Sequence, residues 1–323
     1  MCLFFRCVYF LDVSNFYTYI GSDEMSKTET SDQTSKKANT RWGQERRLEF
    51  IEYRLQWDGY LNRSDLTSFF GISVPQSSLD LAEYLKRAPE NLIYDLSTKV
   101  YRVTSTFTPI FASTALERYL EDLLRVAINP EVPYGSFLGW HPSTAVVPRP
   151  WRRIDVSTLV TLVKAVRETR ALYVQYISFS EPNPVRRTIT AHAFVTDGYR
   201  WHVRAYCHKN GDFRDFLLSR ILKLEEGEVD QSRDQDDYAW NHFVKIILTT
   251  HPDLQPAHRE VIEFDYGMQY GECVLECRQA LLFYVLQQLN LLDDDLRRSP
   301  KAQQVILKNR NELKEFLPKT HYR

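Results

Sequence analysis

The chain has 323 residues, of which 43% are hydrophobic and 26% are charged, and its formal net charge is −1 at pH 7. This length predicts about two or three domains. The composition is that of a globular protein with a packed core, and the near-zero net charge excludes a uniformly basic nucleic-acid coat.

Charge is segregated along the chain. Residues 149–220 carry thirteen Lys or Arg and six Asp or Glu, whereas residues 225–240 carry seven acids and one Arg. A basic module beside an acidic hinge favours a protein that handles a polyanion.

The five cysteines are scattered and odd in number, which predicts reduced thiols in a cytoplasmic protein. Cys273 and Cys277 have no second pair at metal-ligand spacing. We therefore expect no metal site and no cofactor.

Residues 1–40 are predicted to be a disordered segment or an extension that reflects the choice of gene start. The aromatic stretch before residue 20 lacks a basic n-region and a small-residue cleavage site, and polar residues interrupt it, so we expect no membrane span. The stretch that follows is polar. We expect translation to begin at Met25, and an intact mass that includes Met1 would contradict this.

Residues 41–106 are predicted to form a winged helix-turn-helix domain. After a first amphipathic helix, Asn62 or Ser64 caps a second helix that Gly71 ends. Ser73 then caps a third helix, which completes the helix-turn-helix pattern. The buried face of the third helix is predicted to consist of Leu79, Leu81, Ala82 and Leu85.

The wing is predicted from two short alternating strands around a polar turn in residues 92–103. In this arrangement the third helix enters the major groove, where Gln and Ser side chains bond base edges while cations contact phosphates. The predicted DNA-binding residues are Arg46, Arg47, Ser73, Gln76, Ser77, Ser78, Lys86, Lys99 and Arg102. Residues 41–103 contain nine basic and nine acidic residues, so a winged-helix protein-interaction module is the alternative.

Residues 107–169 are predicted to be a helical connector. One amphipathic helix begins at Ser113 or Thr114, and a second is capped by Asp155 or Ser157. A loop rich in proline and aromatic residues separates them.

Residues 170–226 are predicted to fold as a small β-barrel, because several short strands alternate with turn signals such as Asn210-Gly211-Asp212. The predicted ligand-binding residues are Tyr176, Ser178, Arg187, His192, Arg204, Arg214 and Arg220. Arginine forks and a histidine donor suit phosphate, and tyrosine can stack on a base. In the alternative interpretation, the arginines pair with the acidic residues 225–237 and His192 is structural.

Residues 238–323 are predicted to form an α/β domain. Strands and helices alternate through it, with a strongly apolar helix at residues 280–292 and a polar helix at residues 300–319.

The run from Gly198 to Tyr206, with the residues 211–214 and 218–221 that follow, resembles a WYL domain. Trp201 matches the first letter of the family's name triplet, and His202 and Val203 stand at the other two positions. The setting of this triplet, the order of domains and the opening at residues 41–50 resemble the BrxR/CapW type of WYL regulator, attached to bacterial phage-defence islands.

This resemblance implies an α+β multidomain protein with a winged helix-turn-helix, a small SH3/Sm-like β-barrel (the WYL domain) and a C-terminal α/β dimerisation domain. It implies a homodimeric repressor that binds an inverted-repeat double-stranded DNA operator upstream of defence genes. The WYL pocket would sense an anionic ligand, either a nucleic-acid fragment or a nucleotide. A transcriptional activator of the same architecture is the first alternative.

A nucleic-acid-processing enzyme with an accessory winged helix is the second alternative. The sequence contains neither a Gly-rich phosphate loop nor paired carboxylates at metal spacing nor a nucleophile–base signature. We therefore expect a protein that is not an enzyme.

Overall fold

The computed structural model describes residues 31–111, 116–129, 136–150, 152–179, 181–231, 234–292 and 298–317. The chain divides after residue 148 into two compact units. Across the described residues, no helix is both long enough and apolar enough to cross a membrane. The expectations for residues 1–30 lie outside the described part of the chain.

The first unit contains the predicted winged helix-turn-helix. Its elements are α1 (Ser31–Asp58), β1 (Tyr60–Leu61), α2 (Arg63–Phe70), α3 (Val74–Arg87), β2 (Leu92–Asp95), β3 (Val100–Val103) and α4 (Leu116–Ile128). The helix α1 begins at Ser31, before the expected boundary at residue 41. The predicted start of α4 at Ser113 or Thr114 lies outside the described residues.

The ends of α2 and α3 follow the local sequence. Asn62 and Asp65 form a capping box at the start of α2, and Gly71 ends it with a left-handed φ of 65°. The Ser73 side chain caps α3. A small antiparallel sheet of order β1-β3-β2 forms the wing. The helix-turn-helix and wing predictions are therefore confirmed.

The predicted buried face of α3 was right for Leu81 and wrong for Leu79, Ala82 and Leu85. The buried residues are Ser77, Asp80, Leu81 and Tyr84, at helical spacing. Leu79 is 63% exposed, and Ala82 and Leu85 are also exposed. The leucine pattern gave a partly wrong face because one of the inward positions is occupied by a charged residue, Asp80, whose buried carboxylate is held there by an ion pair.

The second unit begins with α5 and the central sheet. Its elements are α5 (Val156–Glu168), β4 (Arg170–Tyr176), β5 (Val185–Thr196), β6 (Trp201–Cys207), β7 (Asp212–Leu217) and β8 (Ile221–Val229). Asp155 caps α5 as predicted. The strand order is β7-β6-β5-β4-β8, so the described residues form an open five-stranded sheet instead of the expected closed barrel. A 3-10 turn at Leu218–Arg220 separates β7 from β8.

The C-terminal part of the unit is an α/β domain, as predicted. Its elements are α6 (Tyr238–Asn241), β9 (Phe243–Thr250), α7 (Pro256–Asp265), β10 (Glu272–Arg278), α8 (Leu282–Gln288), β11 (Val305–Leu307) and α9 (Arg310–Leu313), with sheet order β10-β9-β11. The expected helices at residues 280–292 and 300–319 are much shorter. The polar helix was wrong because Val305, Ile306 and Leu307 pair with β9 and complete the sheet.

Candidate functional site

The outer surface of α3 presents several of the predicted DNA-binding residues. Lys86 is exposed in the last turn. Ser73 is exposed at the start, where its hydroxyl accepts a hydrogen bond from Gln76 N at 3.3 Å. Gln76 and Ser78 are partly exposed. The Gln76 amide donates to Asp80 Oδ1 at 3.1 Å, which orients its carbonyl oxygen, and Ser78 Oγ donates to Val74 O at 3.1 Å.

Two residues of the predicted set face the interior instead. Ser77 is buried, and its hydroxyl donates to Val74 O at 2.8 Å, so it is not available to a base. Arg47 holds the buried Asp80 with Nε at 2.7 Å and Nη2 at 3.2 Å. The guanidinium of Arg46 lies 4.9 Å from the centre of the Phe137 ring. Arg47 therefore holds α3 in position from its inward-facing side.

The wing tip is organised by one carboxylate. Asp95 accepts hydrogen bonds from the hydroxyls of Ser97 and Thr98, both at 2.6 Å, and from Arg102 Nε at 3.0 Å. These bonds hold the pKa of the Asp95 carboxyl well below its ordinary value. Lys99 adopts a left-handed φ of 58° and is exposed beside them. An exposed pair such as Arg102–Asp95 is weak, so both cations can turn towards phosphate.

Apolar side chains lie exposed on the same elements. They are Leu79 and Leu85 on α3, Ile93 on β2 and Leu96 at the wing tip, the last being 82% exposed. Apolar contacts of this kind read the thymine methyl group in the major groove. The sequence analysis did not count Leu79 and Leu85 among the exposed residues because it placed the α3 leucines in the core.

The predicted ligand-binding residues lie on two faces of the central sheet. Arg187 pairs across strands with Val174, and Arg214 pairs with Ala205, so both share the face that α5 covers. Arg204 pairs with Asp215 on the opposite face. Because neighbouring residues of a strand point to opposite faces, these arginines do not converge.

On the face that α5 covers, some of the predicted residues already have hydrogen-bond partners within the chain. Arg187 donates to Asn210 Oδ1 at 2.9 Å and to Glu181 Oε1 at 3.0 Å. Tyr176 is buried, and its hydroxyl accepts from Leu217 N at 3.2 Å. Arg214 is exposed at the edge of this face.

Two further predicted residues lie just beyond the ends of strands. Arg220 lies 4.3 Å from the centre of the Phe179 ring, and Phe179 itself is exposed. Ser178 is half-buried next to it in sequence.

The opposite face carries a buried cluster around Arg204. Its Nε donates to Asp237 Oδ2 at 2.7 Å and its Nη2 to Asp237 Oδ1 at 3.0 Å, while Nη1 lies 3.2 Å from Asp215 Oδ1. His192 Nε2 lies 3.0 Å from Asp237 Oδ2. These contacts agree with the alternative interpretation for Arg204 and His192. In that interpretation the acidic hinge pairs with the arginines, and His192 is structural.

The C-terminal domain contacts the same face of the sheet. Tyr284 on α8 donates its hydroxyl to Asp215 Oδ2 at 3.0 Å, and Gln288 donates to Asp197 O. The rings of His202 and Tyr284 lie 5.2 Å apart. The sequence analysis missed Asp215 and Tyr284, and it included Asp237 only within the acidic residues 225–237 of its alternative interpretation. These partners lie between 11 and 69 positions from the residues they bind.

The protonation states of this cluster follow from its burial. Burial raises the pKa of Asp237, but hydrogen bonds from His192 and Arg204 outweigh it and hold that pKa below its ordinary value. Burial and the Asp215 charge raise the pKa of Tyr284, so its hydroxyl stays protonated and donates. Burial lowers the pKa of His202, and its Nδ1 has no hydrogen-bond partner within the described residues.

These features define a winged helix-turn-helix protein with a sheet-based central domain and a C-terminal α/β domain. Residues 43–125 match the winged helix-turn-helix domain of the BrxR transcriptional regulator, and residues 243–313 match its C-terminal dimerization domain. Residues 157–226 match the WYL domain.

Relatives at high identity carry the same description, "DNA-binding transcriptional repressor CapW". The Escherichia coli protein is 53% identical over 91% of this chain and 99% of its own length. Those of Pseudomonas aeruginosa and Stenotrophomonas maltophilia are 51% and 43% identical, over 92% and 88% of this chain and 99% and 96% of their own lengths. The chain belongs to the BrxR/CapW family of WYL-domain transcriptional regulators.

The relatives are named for a regulatory role and not for a reaction, in agreement with the expectation that the chain is not an enzyme. Among solved structures, the proteasome accessory factor PafBC of Arthrobacter aurescens matches at 14% identity and a TM-score of 0.24. The match covers 79% of this chain and 44% of that chain, and the likeness is too low to bear on function.

Proposed function

We propose that this protein is a homodimeric, DNA-binding transcriptional repressor that acts in the cytoplasm. The observation that carries the proposal is the 53% identity, over nearly the whole of the relative, to a repressor named as DNA-binding. The solvent-facing surface of α3 and the wing supports it, because it combines cations with groups that can bond bases.

In the proposed complex, α3 enters the major groove and the wing lies along the backbone. Gln76, Ser78 and the exposed Leu79 are the base-reading residues, with Ser73 at the helix start. Lys86, Lys99 and Arg102 contact phosphates, and Arg46 reaches the backbone from α1. Ser77 and Arg47 leave the contact set and serve the interior of the domain.

The proposed dimer forms through the C-terminal domain, whose match is described as a dimerization domain. A two-fold dimer places two copies of α3 on an inverted repeat, with half-sites about 34–36 Å apart or at a larger separation. We propose that the operator controls phage-defence genes. The domain limits we propose are 41–106, 107–169, 170–226 and 238–323.

We further propose that an anionic ligand, a nucleic-acid fragment or a nucleotide, binds the WYL domain and relieves repression. The ligand lowers operator affinity only if it binds the released form more tightly than the DNA-bound form. The basic excess of residues 149–220 supports an anionic ligand.

Footprinting on the DNA upstream of the gene, with a scrambled duplex as control, tests the proposal. We expect a protected inverted repeat, and a promoter reporter whose output rises when the gene is deleted. A reporter whose output falls would indicate an activator. A chain that is monomeric in light scattering and protects no DNA would contradict the proposal.

A further inference from the structure

Asp237 lies at the junction of the two neighbouring domains, directly before α6. The WYL match ends at residue 226 and the dimerization match begins at residue 243. We call residues 234–242 the joining segment. The side chain of Asp237 in this segment is 1% exposed and packs against the WYL sheet.

Arg204 and His192 of the WYL sheet supply three of the four hydrogen-bond donors around Asp237, and the joining segment itself supplies the fourth. Arg204 Nε and Nη2 hold both carboxylate oxygens, His192 Nε2 lies 3.0 Å from Oδ2, and Trp240 N donates to Oδ1 at 3.1 Å. A guanidinium fork of this geometry can donate two parallel hydrogen bonds to a carboxylate or to a phosphate. The strands β5 and β6 supply His192 and Arg204, so the site stays on the sheet if the carboxylate leaves.

We propose that Arg204 and His192 form an oxyanion site that Asp237 occupies in this structure, and that a phosphodiester of a short nucleic-acid fragment binds by displacing this carboxylate. The proposal rests on the proposed function, because it names the ligand chemistry and the regulation of the WYL domain.

Charge balance favours a phosphodiester. Asp215 stays on Arg204 Nη1, so the site already contains one carboxylate beside the guanidinium. A phosphodiester carries one negative charge and two free oxygens, as Asp237 does, and the exchange leaves the charge of the site unchanged. A doubly charged terminal phosphate would add a buried negative charge, which is costly.

Displacement of the joining segment also exposes stacking surfaces. Trp240 covers His192, with ring centres 5.6 Å apart. Beneath lies Phe213, 5.7 Å from His192 and 5.3 Å from Tyr206. Aromatic rings beside a cation are the arrangement that holds single-stranded bases.

The exchange is transmitted to the dimerization domain through the joining segment. Arg278 on β10 donates to Trp240 O at 2.5 Å and lies 4.5 Å from the centre of its ring. Movement of Trp240 therefore acts directly on the edge strand of the C-terminal sheet. In the proposal, this contact is made while Asp237 occupies the site and is altered when the ligand binds, which is the difference between two states that ligand control requires.

The test measures binding of dithymidine monophosphate, which has one phosphodiester and no terminal phosphate, to the full-length chain by calorimetry. Asp237→Asn removes the competing charge, and Asp236→Asn, an exposed neighbour, is the matched control. We expect Asp237→Asn to bind the dinucleotide about tenfold more tightly than the wild type, because less of the site is self-occupied. The Asp236→Asn variant should bind like the wild type.

Equal affinity of the wild type and Asp237→Asn, or no binding by either, overturns the inference. If Asp237→Asn fails to fold, hydrogen exchange on the wild type decides. Saturating dinucleotide should speed exchange of the Trp240 amide, which loses Asp237 Oδ1 as one of its two acceptors, whereas the uncharged methylphosphonate analogue should not. Unchanged exchange with bound dinucleotide overturns the inference.

A gel shift with operator DNA separates the two proposals. A wild type that does not shift the operator contradicts the proposed function. A wild type that shifts it, together with an unaltered dinucleotide affinity in Asp237→Asn, contradicts only the displacement of Asp237.

Discussion

Two ion pairs join an arginine to a fully buried aspartate, one in each unit of the chain. Arg47 grips Asp80 in the winged-helix domain, with contacts of 2.7 and 3.2 Å, and Arg204 grips Asp237 beside the WYL sheet, with contacts of 2.7 and 3.0 Å. Both arginines were predicted to bind a ligand or DNA. In this structure each binds a carboxylate of its own chain.

The difference lies in what each carboxylate is attached to. Asp80 belongs to α3, which is packed on α1 through the same core, so its pair is part of the scaffold that presents Gln76. Asp237 belongs to a segment between the two matched domains, and in the proposed exchange its carboxylate leaves the sheet. An ion pair inside one core helps to hold a binding surface in place, whereas an ion pair at a junction between domains is suited to ligand control.

The largest effect is expected for Arg204→Ala, which leaves Asp237 and Asp215 without their shared cation. Removing one partner of a buried pair costs about 3–5 kcal/mol. Arg214→Ala on the neighbouring strand removes an exposed guanidinium and should change stability by less than about 0.5 kcal/mol. Thermal unfolding followed by circular dichroism compares them, and equal shifts would show that Arg204 is not a structural centre.

The second-largest effect on stability is expected for the ion pair in the winged-helix domain. Arg47→Ala should destabilise the winged-helix domain by about 3 kcal/mol, because Asp80 is left buried and unpaired. Replacing both partners, as in Arg47→Met with Asp80→Leu, should recover most of that stability. Failure of the double variant to recover would mean that the pair contributes more than charge compensation.

The third effect is a pH dependence confined to one unit. Burial lowers the pKa of His202 in the folded state, so the folded protein favours the neutral imidazole. The stability that the neutral His202 contributes is therefore complete when the pH is above the ordinary histidine pKa of about 6.5, and it is lost as the pH falls below that value. The slope is at most about 1.4 kcal/mol per pH unit for this group. Unfolding melts between pH 5 and 8 should show it, and His202→Phe should flatten it.

The winged-helix domain is the internal control for that experiment, since residues 31–111 contain no histidine. Its unfolding transition should not follow the same slope. A common slope in both transitions would show that the pH effect does not come from His202.

The smallest effect on stability is expected for Lys86→Ala. This exposed lysine should change the unfolding free energy by less than about 0.5 kcal/mol. The slope of log affinity against log salt for operator DNA should nevertheless fall by about 1, the loss of one phosphate contact. Titrations at several salt concentrations measure this, and an unchanged slope would remove Lys86 from the interface.

Local sequence was sufficient wherever the partners lie within a few residues. A cap at Asn62 or Ser64, the Gly71 stop, the Ser73 cap and the turn at Gly211 were all predicted, and the structure has the first cap at Asn62. Each depends on hydrogen bonds or backbone freedom inside one turn of chain, so no distant residue can change it.

The sequence by itself determined the winged helix, the domain order and the family, because these follow from local caps, periodicity and shared motifs. Only the tertiary structure decided which face of α3 is buried, that residues 305–307 complete a sheet, and that Arg204 already holds a carboxylate. Each outcome depends on a partner far along the chain. Sheet register and burial select that partner, and neither is encoded in the spacing of neighbouring residues.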